Sequence, residues 1–414
     1  MIDIVKLRDQ LSDALTAAPE AEDASIRVES DTRTRVSANR EGLCNLQQES
    51  DLGGCVRVLV NGRWGFTSFN DLDDLKAKVR EAVRIAQLLG PGTVRLAEKP
   101  VVDQIVRSCI ETSPRQIPIH EKVKAIQGYT GQIVKGDPRV ANADVSYGDF
   151  HYQRVYADRQ GSWIAQEKMR VQTYLMAMVA DTEGRMQIGG ETAYSLTDAK
   201  IFYGLESKCD AAVKKAIEIA GAPVVPAGVY PVVVDPDLCG VFIHEAFGHL
   251  SEADHIYENP RWQELLPMGR PMGETFLNVV DSAVGPICEG GAFSYDDEGV
   301  RTHQTYLIKQ GVLNSRLHSR ETAAALSEDP TGNARALSYR YAPIVRMTNT
   351  YIEAGPHSRE DMFKDVKLGI YAVGAHGGQT NGELFQFGAE EGFLIRDGQI
   401  AERVRNVALA GNLF

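Results

Sequence analysis

The stretch from Arg139 to Ser195 constrains the fold of this 414-residue chain more than any other. It reads RVANADVSYGDFHYQRVYADRQGSWIAQEKMRVQTYLMAMVADTEGRMQIGGETAYS, alternating polar with apolar or aromatic residues and carrying glycine-containing turns. A period of two puts successive side chains on opposite faces, so the stretch predicts an antiparallel sheet. A helical segment, IHEKVKAIQGYTGQIV, precedes it, and a second, LESKCDAAVKKAIEIAGA, closes it at Gly221. Together these define a middle segment over about residues 115–222.

The chain before this segment reads as helix, strands, helix. Ile4, Leu7, Leu11 and Leu15 recur at helical spacing, and SIRVES follows as a short strand. In CVRVLVNGRWGFTSF, two apolar runs are split by Asn61-Gly62, a strong hairpin signal. Asn70 is placed to cap the next helix, whose core face is Leu72, Leu75, Val79, Val83 and Ala86. Pro91-Gly92 and the loop near Pro100 mark a boundary.

The third segment opens with GVYPVVVDPDLCGVFIHEAFGH. Val232–Val234 form a short strand, Asp235 is a suitable N-cap, and Pro236 suits a first helical position. Strand-and-turn patterns follow in FLNVVDSAV, in TYLIKQGVLNSRLHS with its Gln-Gly turn, and in GFLIRDGQIAERVRNVALAGN with Asp397-Gly398.

Composition excludes some functions. Net charge is −12, with no long basic run, which argues against direct contact with nucleic acid or an anionic membrane surface. No run approaches the ~18 apolar residues of a membrane span. The six cysteines, at 44, 55, 109, 209, 239 and 288, are scattered without tight spacing. They predict reduced, mostly buried thiols and a cytoplasmic location.

The chemistry concentrates in VFIHEAFGHLSEADH, residues 241–255. In an HExxH helix the histidines stand at i and i+4 and reach one ion. Here His244 and His249 are at i and i+5, which on a regular helix turns them about 140° apart. Two distortions restore convergence: a π-bulge, or a helix that ends at a left-handed Gly248. Glu245 beside the first histidine suits a carboxylate that takes a proton from water near a metal. The alternative is a pair of hydrogen-bonded histidines that hold no ion. His303, His318 and His376 are further candidate ligands. Glu252 and Asp254 are read either as carboxylates that orient an imidazole or as caps of the next element. Asp296-Asp297-Glu298 reads as a solvated turn.

Read with its downstream text, this stretch resembles the TldD/PmbA family of metallopeptidases. The matching pieces are HEAFGHLSEAD at 244–254, GAFSYDDEGV at 291–300, DPTGNARALSYRYAPIVRMTNTYIEAG at 329–355 and HGGQTNGELFQFGAEEGFLIRDGQI at 376–400, with GGCVRVLVNGRWGFTSF at 53–69 in the N-terminal part. The resemblance implies an α+β fold with an N-terminal α/β domain (1–95), a middle antiparallel-sheet domain (115–222) and a β-rich C-terminal domain (228–414) carrying the HExxxH helix. It implies one zinc ion per chain, held by His244 and His249, with Glu245 as general base, and hydrolysis of peptides or unfolded polypeptides. It also implies a dimer, either a homodimer or a heterodimer with a PmbA/TldE-type paralogue, in which this chain is the TldD-type subunit. The family's third ligand is a cysteine beyond the position matching ALAGN at 408–412. This sequence ends at Phe414 and its last cysteine is Cys288, so it reads as C-terminally short, with no matching ligand. Glu252, Cys288 and His376 are the candidates to replace it. An incomplete site would make the chain a non-catalytic subunit or relic of the same family.

Overall fold

The computed structural model describes residues 3–283 and 293–413, so Cys288 lies outside the described residues. The N-terminal half runs α1 (Ile4–Leu15), β1 (Asp23–Asn39), β2 (Gly42–Val60), β3 (Arg63–Phe69), α2 (Leu75–Leu88) and β4 (Asp103–Val106), then α3 (Ile119–Gly136), β5 (Val140–Asp158), β6 (Trp163–Ala180), β7 (Met186–Ser195) and α4 (Glu206–Gly221). The fold is α+β. The alternating stretch becomes β5, β6 and β7, paired antiparallel in that order. Asn61 and Gly62, both at positive φ, turn β2 into β3 as the Asn-Gly signal requires.

Strands of the first two segments form a single seven-stranded sheet, ordered β3-β2-β1-β5-β6-β4 with β7 also on β6. The join is β1 against β5, antiparallel from Ser25–Asp158 to Asn39–Asp144. One face of this sheet is largely apolar, with a buried Lys122–Asp149 ion pair at 2.6 Å within it. Ile26, Val28, Val56 and Val155 pack with Leu7, Leu11, Val79 and Val83 of α1 and α2. Val36, Val145, Met169 and Leu175 pack with Ile126, Ile133, Cys209 and Ala212 of α3 and α4. The period-2 strands and period-3.6 helices thus interlock on one side only. Helix α2 is capped by Asp74, whose carboxylate accepts from the Ala77 amide, and not by Asn70. Asp74 lies adjacent to the first helical residue, whereas Leu72, expected on the helix, precedes it and packs on the same core.

The opposite face meets the C-terminal half through buried charge, which corrects the reading of Asp296-Asp297-Glu298 as a solvated turn. All three are buried. Asp297 pairs with Arg27 of β1 at 3.1 Å and with Arg154 of β5, and Glu298 pairs with Arg57 of β2. Arg320 reaches Asp23 at 2.7 Å, and the Tyr339 amide donates to Glu29 at 2.8 Å. An acidic triplet looks solvated in sequence because its arginine partners are more than a hundred residues away. Among the described cysteines, Cys55 and Cys209 are buried and Cys239 is half-buried, but Cys44 and Cys109 are exposed.

Among the described residues, the C-terminal half holds four small sheets. They are β11-β10-β9-β14, β12-β13, β19-β18-β15-β8 and β16-β17-β20. Their strands are β8 (Val232–Val234), β9 (Val279–Asp281), β10 (Thr305–Lys309), β11 (Val312–Leu313), β12 (Ala334–Arg335), β13 (Ile344–Val345), β14 (Thr350–Ile352), β15 (Leu368–Val373), β16 (Gly378–Asn381), β17 (Leu384–Gly388), β18 (Glu391–Arg396), β19 (Gln399–Val404) and β20 (Ala408–Asn412). Gln310-Gly311 turns β10 into β11 and Asp397-Gly398 turns β18 into β19, all four at positive φ. Among the described residues, no helix is long and apolar enough to cross a membrane.

Candidate metal centre

Strand β8, parallel to β15, delivers the chain into helix α5 (Pro236–Ile243). The Asp235 carboxylate accepts from the Leu238 amide and Pro236 occupies the first turn, as the DP pair predicts. The next five residues, His244–Gly248, form a π turn, in which the His249 amide donates to the His244 carbonyl. Of the two distortions open to HExxxH, the structure takes the π-bulge. Gly248 is right-handed, at φ −54° and ψ −49°, so its glycine character is needed for space. A Cβ there would stand 2.2 Å from Met347 Sδ in the core beneath.

The extra residue in the turn brings the two imidazoles together. Their centroids are 4.7 Å apart, edge to face at 78°. With the Glu245 carboxylate they offer three ligand atoms all within 4.8 Å of one another. Among the described residues no other group of three His, Cys, Asp or Glu is so close.

His249 and Glu245 are each held from behind. His249 Nδ1 lies 3.1 Å from Glu252 Oε2. A carboxylate accepts, so in the neutral ring Nδ1 carries the proton and Nε2 keeps a free lone pair. Glu252 is itself buried, and also faces His255 at 3.6 Å and Arg346 at 3.3 Å. The hydrogen bond to Glu252 raises the pKa of His249, whereas burial and then the neighbouring His249 lower that of His244. One ring is thereby kept neutral and the other oriented. Thr380 Oγ1 lies 3.0 Å from Glu245 Oε2 and is also within hydrogen-bond reach of the Glu245 carbonyl. Thr380 belongs to β16, an edge strand that no other strand pairs on its outer side among the described residues. A Cβ at Gly378 of the same strand would stand 2.9 Å from Glu245 Cγ, so glycine permits this close approach. A cavity of about 430 Å³ opens beside Glu245, His249, His255, Trp262 and Thr380. Two imidazole nitrogens, an adjacent carboxylate and a carboxylate behind one ring form a donor set that fits a divalent ion of the zinc class.

The remaining sequence candidates separate from this group. His303 and His376 are exposed, and His318 is buried against Thr322 and Glu328. Glu252 does what the orienting alternative expected, while Asp254 accepts from the Val345 amide and holds backbone. Sequence reasoning missed Thr380 and Arg346. Arg346 carried a signal, since it interrupts the apolar run IVRM between two buried residues.

Profiles of the PmbA/TldA metallopeptidase C-terminal domain and of the PmbA/TldA metallopeptidase domain 1 match residues 227–414 and 24–86. A protein of Synechocystis named metalloprotease is 39% identical over 397 residues, covering 95% of this chain and 85% of the other. The chain belongs to the TldD/PmbA family. A second relative, a zinc metalloprotease TldD homolog of Saccharolobus solfataricus, is 28% identical over 87% of this chain and 80% of its own. The crystal structure of TldE from Thermococcus kodakarensis shares the fold, with a TM-score of 0.75 at 17% identity over 98% of this chain and 91% of that one. Relatives named metalloprotease thus share this chain's sequence over most of its length, and TldE shares its fold.

Proposed function

We propose that this chain is the TldD-type subunit of a zinc peptidase acting on peptides or unfolded polypeptides. The observation that carries the reading is the π turn, which converts an i, i+5 histidine pair into neighbours with Glu245 beside them. In it, His244 and His249 hold one zinc ion per chain, which when bound supplies Lewis acidity toward a peptide carbonyl. Glu245, fixed by Thr380, accepts a proton from the attacking water and passes it to the departing amine. Glu252 keeps the His249 ring aimed at the site. The outer edge of β16 offers unpaired amides and carbonyls to an extended peptide, which would add as a strand beside Glu245. Backbone pairing of this kind is weakly selective for sequence and suits unfolded chains. The fold shared with TldE supports pairing with a paralogue or a second copy, and five cysteines free of disulfides support a cytoplasmic location.

The test is zinc content per chain beside turnover of an unstructured polypeptide. Near one zinc in the wild type, lost in His249→Ala, with hydrolysis abolished in folded Glu245→Gln, is the expected result. Undiminished hydrolysis in Glu245→Gln would sink the assignment.

A further inference from the structure

The helix-free face of the large sheet carries a feature that the metal centre does not explain. Strand register places Arg33, Phe150 and Arg170 in one row across β1, β5 and β6, and Arg35, Gly148 and Gln172 in the next. Ser37, Ser146 and Tyr174 form a third row. Among the described residues, none but Gly148's own chain neighbours lies within 4 Å of where its Cβ would be, and these rows floor a trough of about 610 Å³. Leu337, 86% exposed, forms part of its wall.

Beyond the trough, charged residues lead toward the histidines. Leu337 is two residues beyond Arg335, and Arg335 shares the lining of a small cavity with Arg346. Arg346 in turn pairs with Glu252, the carboxylate behind His249. Lys168 lies between the two ends, where Arg335 and Arg170 both depress its pKa in addition to burial. Arginines 35, 170 and 335 have no hydrogen-bond or ion-pair partner among the described residues. The acids on this face are Asp31, held bidentately by Arg33, Glu49, which faces Arg33 from β2, Asp51, paired with Arg340, and Asp144, one row beyond Ser37. A chain of net charge −12 has therefore gathered cations, Arg35 and Arg170 among them without a carboxylate in ion-pair reach, interleaved with aromatic rings along a line that ends at its candidate metal centre.

We propose that this line is a substrate track for the acidic, aromatic- or aliphatic-bearing stretches of an extended polypeptide, whose remaining length enters the site. The proposal rests on the peptidase reading above. Arginine without a carboxylate partner favours an anionic ligand, and the rings and Leu337 favour apolar side chains between the acids. A peptide is the occupant because the track leads to Glu245 and the edge strand β16.

The experiment is anisotropy of a fluorescein-labelled glutamate-rich peptide and its glutamine-rich counterpart on zinc-loaded Glu245→Gln protein, repeated with chelator. We expect tighter binding of the acidic peptide, weakened by salt. Arg35→Gln/Arg170→Gln/Arg335→Gln should bind the acidic peptide about tenfold more weakly and the neutral one unchanged. The triple lysine variant should keep the preference and guards against misfolding. Equal affinity for both peptides, or a preference that survives in the glutamine variant, overturns the track. So does a single-stranded oligonucleotide that binds more tightly than the peptide through the same arginines, or loss of self-association as the glutamine variant's only effect. Charge preference without hydrolysis by the wild type would defeat the peptidase reading alone, and hydrolysis without charge preference would defeat the track alone.

Discussion

His244 and His249 are five residues apart in sequence, yet their rings meet edge to face with centroids 4.7 Å apart. The π turn that achieves this packs Gly248 against Met347, with room for no side chain. Gly248→Ala must displace a buried sulfur or unwind the turn, at a cost of about 1–3 kcal/mol. The variant should melt lower and bind zinc more weakly. Met347→Ala in the same chain should recover part of both losses. Equal zinc affinity in Gly248→Ala, measured by competition with a chromophoric chelator, would show that the turn tolerates a Cβ.

Glu252 is the second lever on the pair, because it orients His249 and not because it touches an ion. Glu252→Gln keeps the size of the group and removes its charge. Loss of such an orienting carboxylate costs about 10–100-fold in metal affinity. We expect that loss with the thermal transition little changed, since His249 and Arg346 are both partly exposed. Zinc affinity equal to wild type would mean that His249 is positioned by packing alone.

Elements whose instructions are local were legible in the sequence. The β5–β7 alternation, the Asn61-Gly62 turn and the Asp235-Pro236 helix start each depend on a few neighbouring residues, and each forms. The need for a distortion at His244–His249 was also legible, because helix periodicity makes i, i+5 incompatible with one ion. Its form was not, since π and left-handed solutions differ by how Met347, about a hundred residues on, fills the space beneath Gly248. The pairings of Asp297 with Arg27 and Arg154, and of Thr380 with Glu245, were hidden for the same reason. Each joins residues whose proximity exists only after the sheets are assembled.

Thr380 gives the catalytic proposal a test separate from the metal. Its hydroxyl faces the Glu245 carboxylate at 3.0 Å, and Thr380→Val preserves shape while removing that donor. Turnover should fall while zinc content and peptide binding hold. A fall in kcat with KM unchanged is the signature of a carboxylate left unaimed. If zinc were lost instead, Glu245 would be a metal ligand and not the base.

Asp297 tests what fastens the two halves of the chain. It is 6% exposed and shared by Arg27 and Arg154, both buried, and its carboxylate also accepts from the Ala336 amide at 2.7 Å. Asp297→Asn would leave two buried guanidinium groups without their shared countercharge. Breaking a buried pair in this way costs about 3–5 kcal/mol. Urea unfolding should shift accordingly, whereas Asp361→Asn in an exposed helix start should shift little. Comparable midpoints for the two variants would show the cluster to be incidental.

Lys168 carries the pH dependence that can be signed most simply. Burial first, and then the charges of Arg335, Arg170 and Arg154, lower its pKa to about 8. Below pH 8 both folded and unfolded chains hold the proton, so the folded state bears the full cost of the buried charge. Between pH 8 and the ordinary lysine value of 10.5 the folded chain releases its proton first. The unfolded chain then binds more protons, and stability gains from this residue as pH rises through that window. Lys168→Gln should remove the gain. The same shift makes Lys168 an unusually good nucleophile near pH 8, so an amine-reactive label quantified by mass spectrometry should mark it well before the other lysines. Labelling of Lys168 only alongside the bulk lysines near pH 10 would mean that its cationic neighbours are screened. The track from Arg170 to Arg346 would then exert a weaker field than its gathered cations imply.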